Sequence, residues 1–288
     1  MSNNKIQYGL SQLHYCTAEY DREAKKYTYG EVKPIPGAKT LNLPPSGGST
    51  VIYADNIKYY AIETNQGYNG SVVVVLIPES FIEDVLKERK YGGVRYENAD
   101  GVSSEFALMG QFEGDAYPKR FCLPRCKATR KDLNGETAQE SISEQNDTIS
   151  IDVMPRENDK DVKYSIERAD DPIKYAKWFE GVHERAMVDY ISFKNADVKF
   201  ISFGEEGFKT EYTDCVCDGL GDSLEIVGMN GNIKTTVTLN GTEVQPDEKG
   251  VYALTYTADG NEITVTAENL LGDSTVYTFN ITATESNT

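Results

Sequence analysis

The last third of the chain is a series of short segments in which apolar and polar residues alternate. These segments are TTVTLNG, VYALTYTADG, NEITVTAEN and TVYTFNITA, all after Tyr190. Apolar residues two positions apart share one face of a β-strand, so each segment predicts a strand with one face in a core. Asn240-Gly241 and Asp259-Gly260 between the segments are typical of tight turns. About seven short strands in about 100 residues predict an immunoglobulin-like β-sandwich.

Charge places a domain boundary near Tyr190. The chain has 29 Lys and Arg against 46 Asp and Glu, a net charge of −17. Residues 191–288 hold 5 of the basic and 16 of the acidic residues, so they carry −11 and leave −6 for residues 1–190. The alternating segments begin at the same place. We therefore predict two domains, residues 1–190 and residues 191–288.

The first domain is predicted to be mainly β with two short helices. Its strands are predicted at Gln7–Thr17, Val51–Glu63, Ser71–Ile77, Glu105–Glu113, Arg120–Thr129 and Thr148–Val153. One helix is predicted after Pro78, in FIEDVLKERK, where Phe81, Val85 and Leu86 share a face. Acidic residues early and basic residues late in this segment suit the helix dipole.

A second helix is predicted in ADDPIKYAKWFEGVHERA, residues 169–186. Asp170 or Asp171 can cap it, and Pro172 suits its first turn. Its apolar stripe is predicted to consist of Ile173, Trp178, Phe179 and Val182. His183 would then lie at the C-terminal end of the helix, where a cation is stabilised.

Residues Val72–Ile77 form an uninterrupted apolar run in an otherwise polar chain. A strand with one wet face would alternate, so the run predicts a strand that is covered on both sides. The second cover could be another part of this chain or a neighbouring subunit. An ordinary buried central strand is the alternative.

Composition argues against several functional classes. A net charge of −17 is unsuited to binding nucleic acid through a basic surface. The apolar run at Val72 has six residues, whereas a membrane-spanning helix needs roughly 20. The first residues, MSNNKIQYGLSQLHY, lack the apolar core of a signal peptide, so we expect a protein that is made and kept in a cytoplasm.

No catalytic or metal-binding pattern is evident in the sequence. Cys122 and Cys126, like Cys215 and Cys217, are predicted to be strand residues that share one face, with their thiols outside disulfides. The adjacent acidic residues Asp170-Asp171 and Glu205-Glu206 could be considered for acid–base chemistry. Capping or solvation explains these two pairs better. The nucleophile, zinc-protease and phosphate-loop motifs are all missing. We therefore expect no enzyme, no cofactor and no metal site.

The order of several motifs resembles one protein family. IQYGLSQLHYC, IPGAKTLNL, YADNIKYYAIETNQGYNGSVVVVLIPESFIEDVL, KATRKDLNGETAQESISEQNDTISI and KWFEGV occur in this order within residues 1–185. Together they resemble the major tail protein, or tail tube protein, of long non-contractile-tailed bacteriophages that infect Gram-positive hosts. Residues 191–288 resemble the bacterial immunoglobulin-like or cadherin-like domains that often decorate such proteins.

The resemblance implies a structural role with specific partners. Tail tube proteins have a β-sandwich or barrel domain that forms hexameric rings, and the rings stack into a tube around a tape-measure protein. Tail-terminator and distal tail proteins are further partners, and DNA passes through the lumen without specific binding. The implied location is the virion tail, with the host cytoplasm before assembly, and no membrane partner or cofactor is implied.

Ring and stacking contacts are expected in one region of the chain. Residues 37–56 are long for a loop in a compact domain, and in the resembled family a long loop here contacts the next ring. Tyrosines suit such an interface because they bury area and keep a polar end. The candidate interface residues are Leu41, Leu43, Val51, Tyr53, Asp55, Asn56, Tyr59, Tyr60 and Tyr68. A surface loop without this role is the alternative.

A binding module is the competing functional hypothesis. In this interpretation the immunoglobulin-like domain attaches to a cell surface or a carbohydrate. Tyr252, Tyr256 and Tyr277 could then stack on sugars, although their alternation with Val and Thr favours a core position. Weak contact with host-surface glycans is also compatible with a tail tube role.

Overall fold

The structure is a computed structural model that describes most of the chain. The described residues are 4–23, 25–133, 135, 137, 144–186, 188, 190–196, 199–201, 209–227, 233–257, 260–270 and 272–284. Within them the fold is mainly β, with two short helices and several antiparallel sheets, which confirms the predicted fold class. The chain forms two compact units.

The division between the units differs from the sequence boundary at Tyr190. The first unit is Met1–Glu19 with Tyr29–Val182, and the second is Tyr20–Thr28 with His183–Thr288. The break therefore falls after Val182. A short segment near the N-terminus also belongs to the second unit, and no local sequence pattern indicates this.

The first fourteen strands form a ten-stranded sheet and two separate hairpins, and all of their residues belong to the first unit except those within Tyr20–Thr28. These strands are β1 (Gln7–Asp21), β2 (Lys26–Tyr29), β3 (Lys33–Pro34), β4 (Ala38–Asn42), β5 (Pro45–Ser46), β6 (Ser49–Ala54), β7 (Ile57–Glu63), β8 (Gly67–Val74), β9 (Arg89–Tyr91), β10 (Val94–Tyr96), β11 (Glu105–Gly114), β12 (Lys119–Ala128), β13 (Asp147–Val153) and β14 (Tyr164–Glu167). The main sheet has the order β2-β1-β11-β12-β13-β8-β4. Strand β12 divides its pairing, because residues 119–122 pair with β14 and residues 126–128 pair with β13.

The apolar run at Val72 does not form the expected strand. Strand β8 ends at Val74, and its burial alternates, with Val72 and Val74 buried. Val75 and Leu76 lie beyond the strand and are exposed, Leu76 by 67%. The prediction of a six-residue strand covered on both sides is therefore wrong for this chain by itself. Pairing with β13 and β4 protects the backbone edges of β8, but it leaves one face only partly covered.

Helix α1 (Glu79–Asp84) is shorter than the predicted helix but buries the expected face. Phe81 and Val85 are fully buried in the core of the first unit. At the end of the helix, the Asp84 carboxylate accepts hydrogen bonds from the Tyr15 hydroxyl at 2.9 Å and from Lys33 Nζ at 2.7 Å. These bonds attach the helix to β1 and β3.

The Asp84 contacts predict a measurable acid sensitivity. Burial by itself would raise the pKa of the Asp84 carboxyl, but the hydrogen bonds from Lys33 and Tyr15 outweigh it and hold this pKa below its ordinary value. A carboxylate with a lowered pKa stabilises the fold above the pKa of the unfolded state, about 3.9, and this contribution is lost as the pH falls.

We therefore expect Asp84→Asn to be less stable than wild type at pH 7 by about 0.5–1 kcal/mol, since both side chains of the pair are about one-third exposed. The difference should begin to shrink below about pH 4 and close as the pH falls through the lowered pKa of Asp84 in the folded state, where the wild-type carboxylate becomes protonated. This difference in the free energy of unfolding is measured by urea unfolding, followed by the fluorescence of the single tryptophan, Trp178. A difference that stays constant between pH 7 and pH 3 would contradict this assignment.

Helix α2 (Pro172–Lys177) begins as predicted and ends early. The Asp171 side chain accepts hydrogen bonds from the backbone N–H groups of Ile173 and Lys174, both at 3.0 Å, so this residue is the N-cap. Trp178 and Val182 are buried as expected, but Ile173 is 70% exposed, so the predicted stripe is wrong at this residue. His183 lies six residues beyond the helix, which removes its predicted role at the helix end.

The second unit is a β-sandwich. Its strands are β15 (Tyr190–Phe193), β16 (Lys199–Ile201), β17 (Glu211–Asp218), β18 (Gly221–Val227), β19 (Lys234–Leu239), β20 (Thr242–Val244), β21 (Tyr252–Thr255), β22 (Asn261–Glu268) and β23 (Ser274–Thr284). They form one sheet of order β16-β15-β18-β21 and another of order β17-β23-β22-β19-β20. Side chains from both sheets share one core, including Phe193, Leu224, Val265 and Phe279. The predicted turn at Asp259-Gly260 includes Asp259, which lies outside the described residues.

Candidate functional site

The tyrosine-rich segment, which contains Tyr53, Tyr59 and Tyr60, forms an exposed hairpin instead of a loop and a single strand. Among the described residues, strands β6 and β7 pair only with each other, and Asp55-Asn56 joins them. Both turn residues have positive φ, 52° and 62°, as a two-residue turn of type I′ requires. The prediction of one strand at Val51–Glu63 is therefore wrong, and 13 of the 20 residues of the expected loop at residues 37–56 lie in strands β4, β5 and β6.

The hairpin has one uncharged face. Residues paired across an antiparallel ladder lie on the same side, and Ile52 pairs with Tyr60 while Thr50 pairs with Ile62. Ala54 and Ile57 continue this face toward the turn. The opposite face carries both charges of the two strands, Lys58 and Glu63, beside Val51, Tyr53 and Ala61.

The uncharged face of the hairpin is exposed to solvent. Ile52, Ile57, Tyr60 and Ile62 are each exposed by 45% or more. On the remainder of the hairpin, Tyr53 is 70% and Tyr59 is 72% exposed. A two-stranded hairpin without a packed face is marginally stable in water at best. An exposed apolar face of this kind is a candidate interaction surface.

The hairpin continues from the sheet through a short ladder at its base. Pro45 pairs with Tyr68, and Ser46 pairs with Gly67. The Thr64 N–H then donates to the Gly48 carbonyl oxygen at 2.9 Å, next to the pair of Ser49 and Glu63. Residues 38–74 thus form one arm that is anchored by β8 and ends in the exposed hairpin.

An apolar groove lies at the base of the arm. Its six apolar lining residues are Leu41, Leu43, Tyr68, Phe112, Phe121 and Leu123. Lys163 is the remaining lining residue; its Nζ donates to the Tyr68 hydroxyl at 3.3 Å and lies 5.3 Å from the centre of that ring. The groove has a volume of about 190 Å³. This is below the usual range for cofactor or substrate pockets, about 300–1,000 Å³, and suits a few side chains.

The nine candidate interface residues divide between these two features. Leu41, Leu43 and Tyr68 line the groove and are half-buried. The other six are on the hairpin, with Val51 and Tyr53 in β6, Asp55 and Asn56 in the turn, and Tyr59 and Tyr60 in β7. The structure therefore brings the nine residues onto one arm and its base, but not onto a single face.

Sequence reasoning missed residues in both features. Ile52, Ile57 and Ile62 complete the uncharged face, and the Asp-Asn turn between two alternating segments could have identified them. Phe112, Phe121, Leu123 and Lys163 complete the groove. No local signal connects these four residues to Leu41, because they are between about 70 and 120 positions away along the chain.

Among the described residues, the groups that could perform chemistry are dispersed or buried. No group of His, Cys, Asp and Glu in the described part of the chain could hold a metal ion. All five cysteines are buried, and burial together with Asp222 raises the pKa of Cys217 to about 11, so little thiolate is present at neutral pH. No helix in the described ranges is long and apolar enough to cross a membrane.

A larger cavity near α1 contains balanced charges. It has a volume of about 610 Å³, and Lys87, Lys127 and Arg130 line it together with Glu88, Glu97 and Asp152. Arg130 Nε lies 2.8 Å from the Glu97 carboxylate, so one of the bases is already paired. Its described lining residues form no cluster of one charge sign that would select a ligand.

Comparisons with known proteins add no assignment. No protein-family model matches the chain, and no curated protein is similar to it.

Proposed function

We propose that the chain is a structural subunit that assembles with copies of itself, as a tail tube protein of long non-contractile-tailed bacteriophages does. The observation that carries the proposal is the β6–β7 hairpin, whose uncharged face is exposed although it is too apolar for a solvated surface. The motifs in residues 1–185 that resemble tail tube proteins include the turn and the second strand of this hairpin, together with strands β4 and β8.

The proposed partners follow from this role. Copies of the chain would form rings, and stacked rings would enclose a tape-measure protein and later conduct DNA. Tail-terminator and distal tail proteins would end the tube, so the proposed location is the virion tail. The net charge of −6 in residues 1–190 suits a conduit through which phosphate must slide without binding, whereas the −11 of residues 191–288 belongs to the domain proposed for the outer surface.

The carbohydrate-binding alternative has less structural support. Tyr252, Tyr256 and Tyr277 are buried in the core of the second unit, where they cannot stack on a sugar. The aromatic residues that motivated this alternative are thus occupied by packing. Decoration of the outer surface of a tube by the immunoglobulin-like domain remains part of the proposal.

Negative-stain electron microscopy and light scattering of the full chain test the proposal. We expect concentration-dependent rings or tubes from the wild type. In the variant Ile52→Thr/Ile57→Thr/Tyr60→Thr/Ile62→Thr we expect no assembly, because Thr keeps the β propensity and removes the apolar area. Each anchor lost from an interface costs about 2 kcal/mol, which is more than ten-fold in the association constant.

The opposite face of the same hairpin provides the matched control. Val51→Thr/Tyr53→Thr/Ala61→Thr changes three residues of the same two strands and should assemble more readily than the first variant. Wild-type protein that stays a 32.0 kDa monomer at every concentration, with or without a tail-tip initiator complex, would refute the proposed function.

A further inference from the structure

The exposed hairpin and the apolar groove match in apolar character. The hairpin is a two-stranded projection with an uncharged face, and the groove is a concave site with six apolar residues at the base of the same arm. Both features are open in the structure. Removing the apolar area of either one from water would lower the free energy.

The charges of the two features are also complementary. The hairpin Ser49–Glu63 carries Asp55, Lys58 and Glu63, a net charge of −1, and Asp55 lies at its exposed tip. Among the described residues that line the groove, Lys163 is the charged one, and it is exposed. In a chain of net charge −17, two copies repel over most of their surface, so a contact between copies is favoured where one side is nearly neutral and the other is basic.

We propose that the hairpin of one copy inserts its uncharged face into the groove of a second copy, with Asp55 next to Lys163. This inference rests on the proposed function and deepens it, because it names the receiving site on the partner copy. The contact joins two different surfaces, so each copy offers a hairpin to one neighbour and a groove to another. Contacts of this heterologous type generate closed rings or open filaments.

The groove can also hold the anchors that the hairpin provides. Its volume of about 190 Å³ suits side chains such as Ile57 and Tyr60 better than a small-molecule ligand. Phe112 and Phe121 lie 4.8 Å apart between ring centres and offer aromatic surface to a tyrosine. Lys163 already contacts the ring of Tyr68 and can pair with a carboxylate from its exposed side.

Disulfide trapping between two variants, each with one added cysteine, tests the contact in the full chain. The five native cysteines are buried, so Ile57→Cys and Lys163→Cys each introduce the accessible thiol of their molecule. Both positions are exposed, so neither variant removes core packing. After the two proteins are mixed and oxidised, we expect a shift from the 32.0 kDa band to a band of twice that mass.

The control pairs Ile57→Cys with Ile173→Cys, an equally exposed position on α2. The shift should be much weaker there, because random collision alone forms that bond. A cross-link that forms only within the double variant Ile57→Cys/Lys163→Cys, as a monomer, would overturn the inference because the hairpin would then fill its own groove.

The remaining outcomes separate the inference from the proposed function. Rings or tubes without a cross-link above the control would refute the groove as the receiving site and leave the assembly function intact. Neither assembly nor a cross-link would refute both. A charge exchange gives a second reading: Lys163→Asp should lose assembly, and Asp55→Lys/Lys163→Asp should recover it. Failure of the recovery would overturn the proposed pairing.

Discussion

Arg156→Ala is expected to destabilise the first unit by about 3–5 kcal/mol. The Arg156 side chain is fully buried. Its Nε donates a hydrogen bond to Asp159 Oδ1 at 2.9 Å, and its Nη2 donates to Asp159 Oδ2. Its Nη1 also lies 3.4 Å from the Tyr29 hydroxyl, and the guanidinium lies 5.4 Å from the centre of the Tyr164 ring. Removing the base leaves the Asp159 carboxylate, 8% exposed, without its charge partner.

Urea unfolding followed by Trp178 fluorescence measures this effect. Trp178 is the single tryptophan and is buried in the first unit, so its signal reports on that unit and avoids a two-state assumption for the whole chain. Arg168→Ala, at an exposed position of the same unit, should change stability by no more than about 0.5 kcal/mol.

A double variant distinguishes a charge effect from a packing effect. Arg156→Met/Asp159→Leu removes both charges and fills the space with apolar atoms, so it should recover most of the lost stability. If Arg156→Ala unfolds at the wild-type urea concentration, the pair contributes nothing and this assignment is wrong.

Gly67→Ala is expected to cost at least about 3 kcal/mol, because it combines backbone strain with a steric clash. Gly67 has φ of +101°, a conformation that residues with a side chain rarely adopt. A Cβ at this position would lie 1.8 Å from the Val153 carbonyl oxygen, so the first residues of β8 would have to move away from the end of β13. The change therefore acts on the strand that anchors the exposed hairpin.

Gly48→Ala is the matched control at the base of the same hairpin. A Cβ there meets Thr64 Oγ1 at 3.7 Å, an ordinary van der Waals contact, and its backbone conformation is not restricted to glycine. Thermal unfolding monitored at Trp178 should place Gly67→Ala well below both wild type and Gly48→Ala. Equal melting temperatures for the two alanine variants would show that β8 relaxes without cost.

Gly67 and a second glycine of the same strand, Gly70, also explain part of the motif that resembles tail tube proteins. In NQGYNGS, a Cβ on Gly67 would meet β13, and a Cβ on Gly70 would lie 2.0 Å from the Asn42 carbonyl oxygen on the other side of β8. These glycines let the central strand of the arm approach both neighbours closely. The motif is therefore explained by backbone packing at the base of the hairpin.

Patterns within a few residues of each other were predictable because their physical causes are local. Alternation placed β1, β11, β12 and β13 close to their observed positions, and Asp171 and Pro172 marked the start of α2 because capping involves adjacent groups. The same reasoning failed at Asp55-Asn56, where an unrecognised turn divided one predicted strand into a hairpin. It also failed at Val72–Ile77, because an apolar run indicates burial without showing where a strand ends.

The sequence by itself determined that this chain is mainly β, that its final third forms a sandwich, and that its tyrosine-rich segment is a candidate interface. Tertiary structure decided which surfaces that segment offers. Strand pairing put Ile52, Ile57, Tyr60 and Ile62 on one exposed face, and the assembled sheet placed Leu41 in one groove with Phe112, Phe121 and Lys163. The proximity of residues so distant along the chain depends on the register and order of the strands in the whole sheet, which no local pattern encodes.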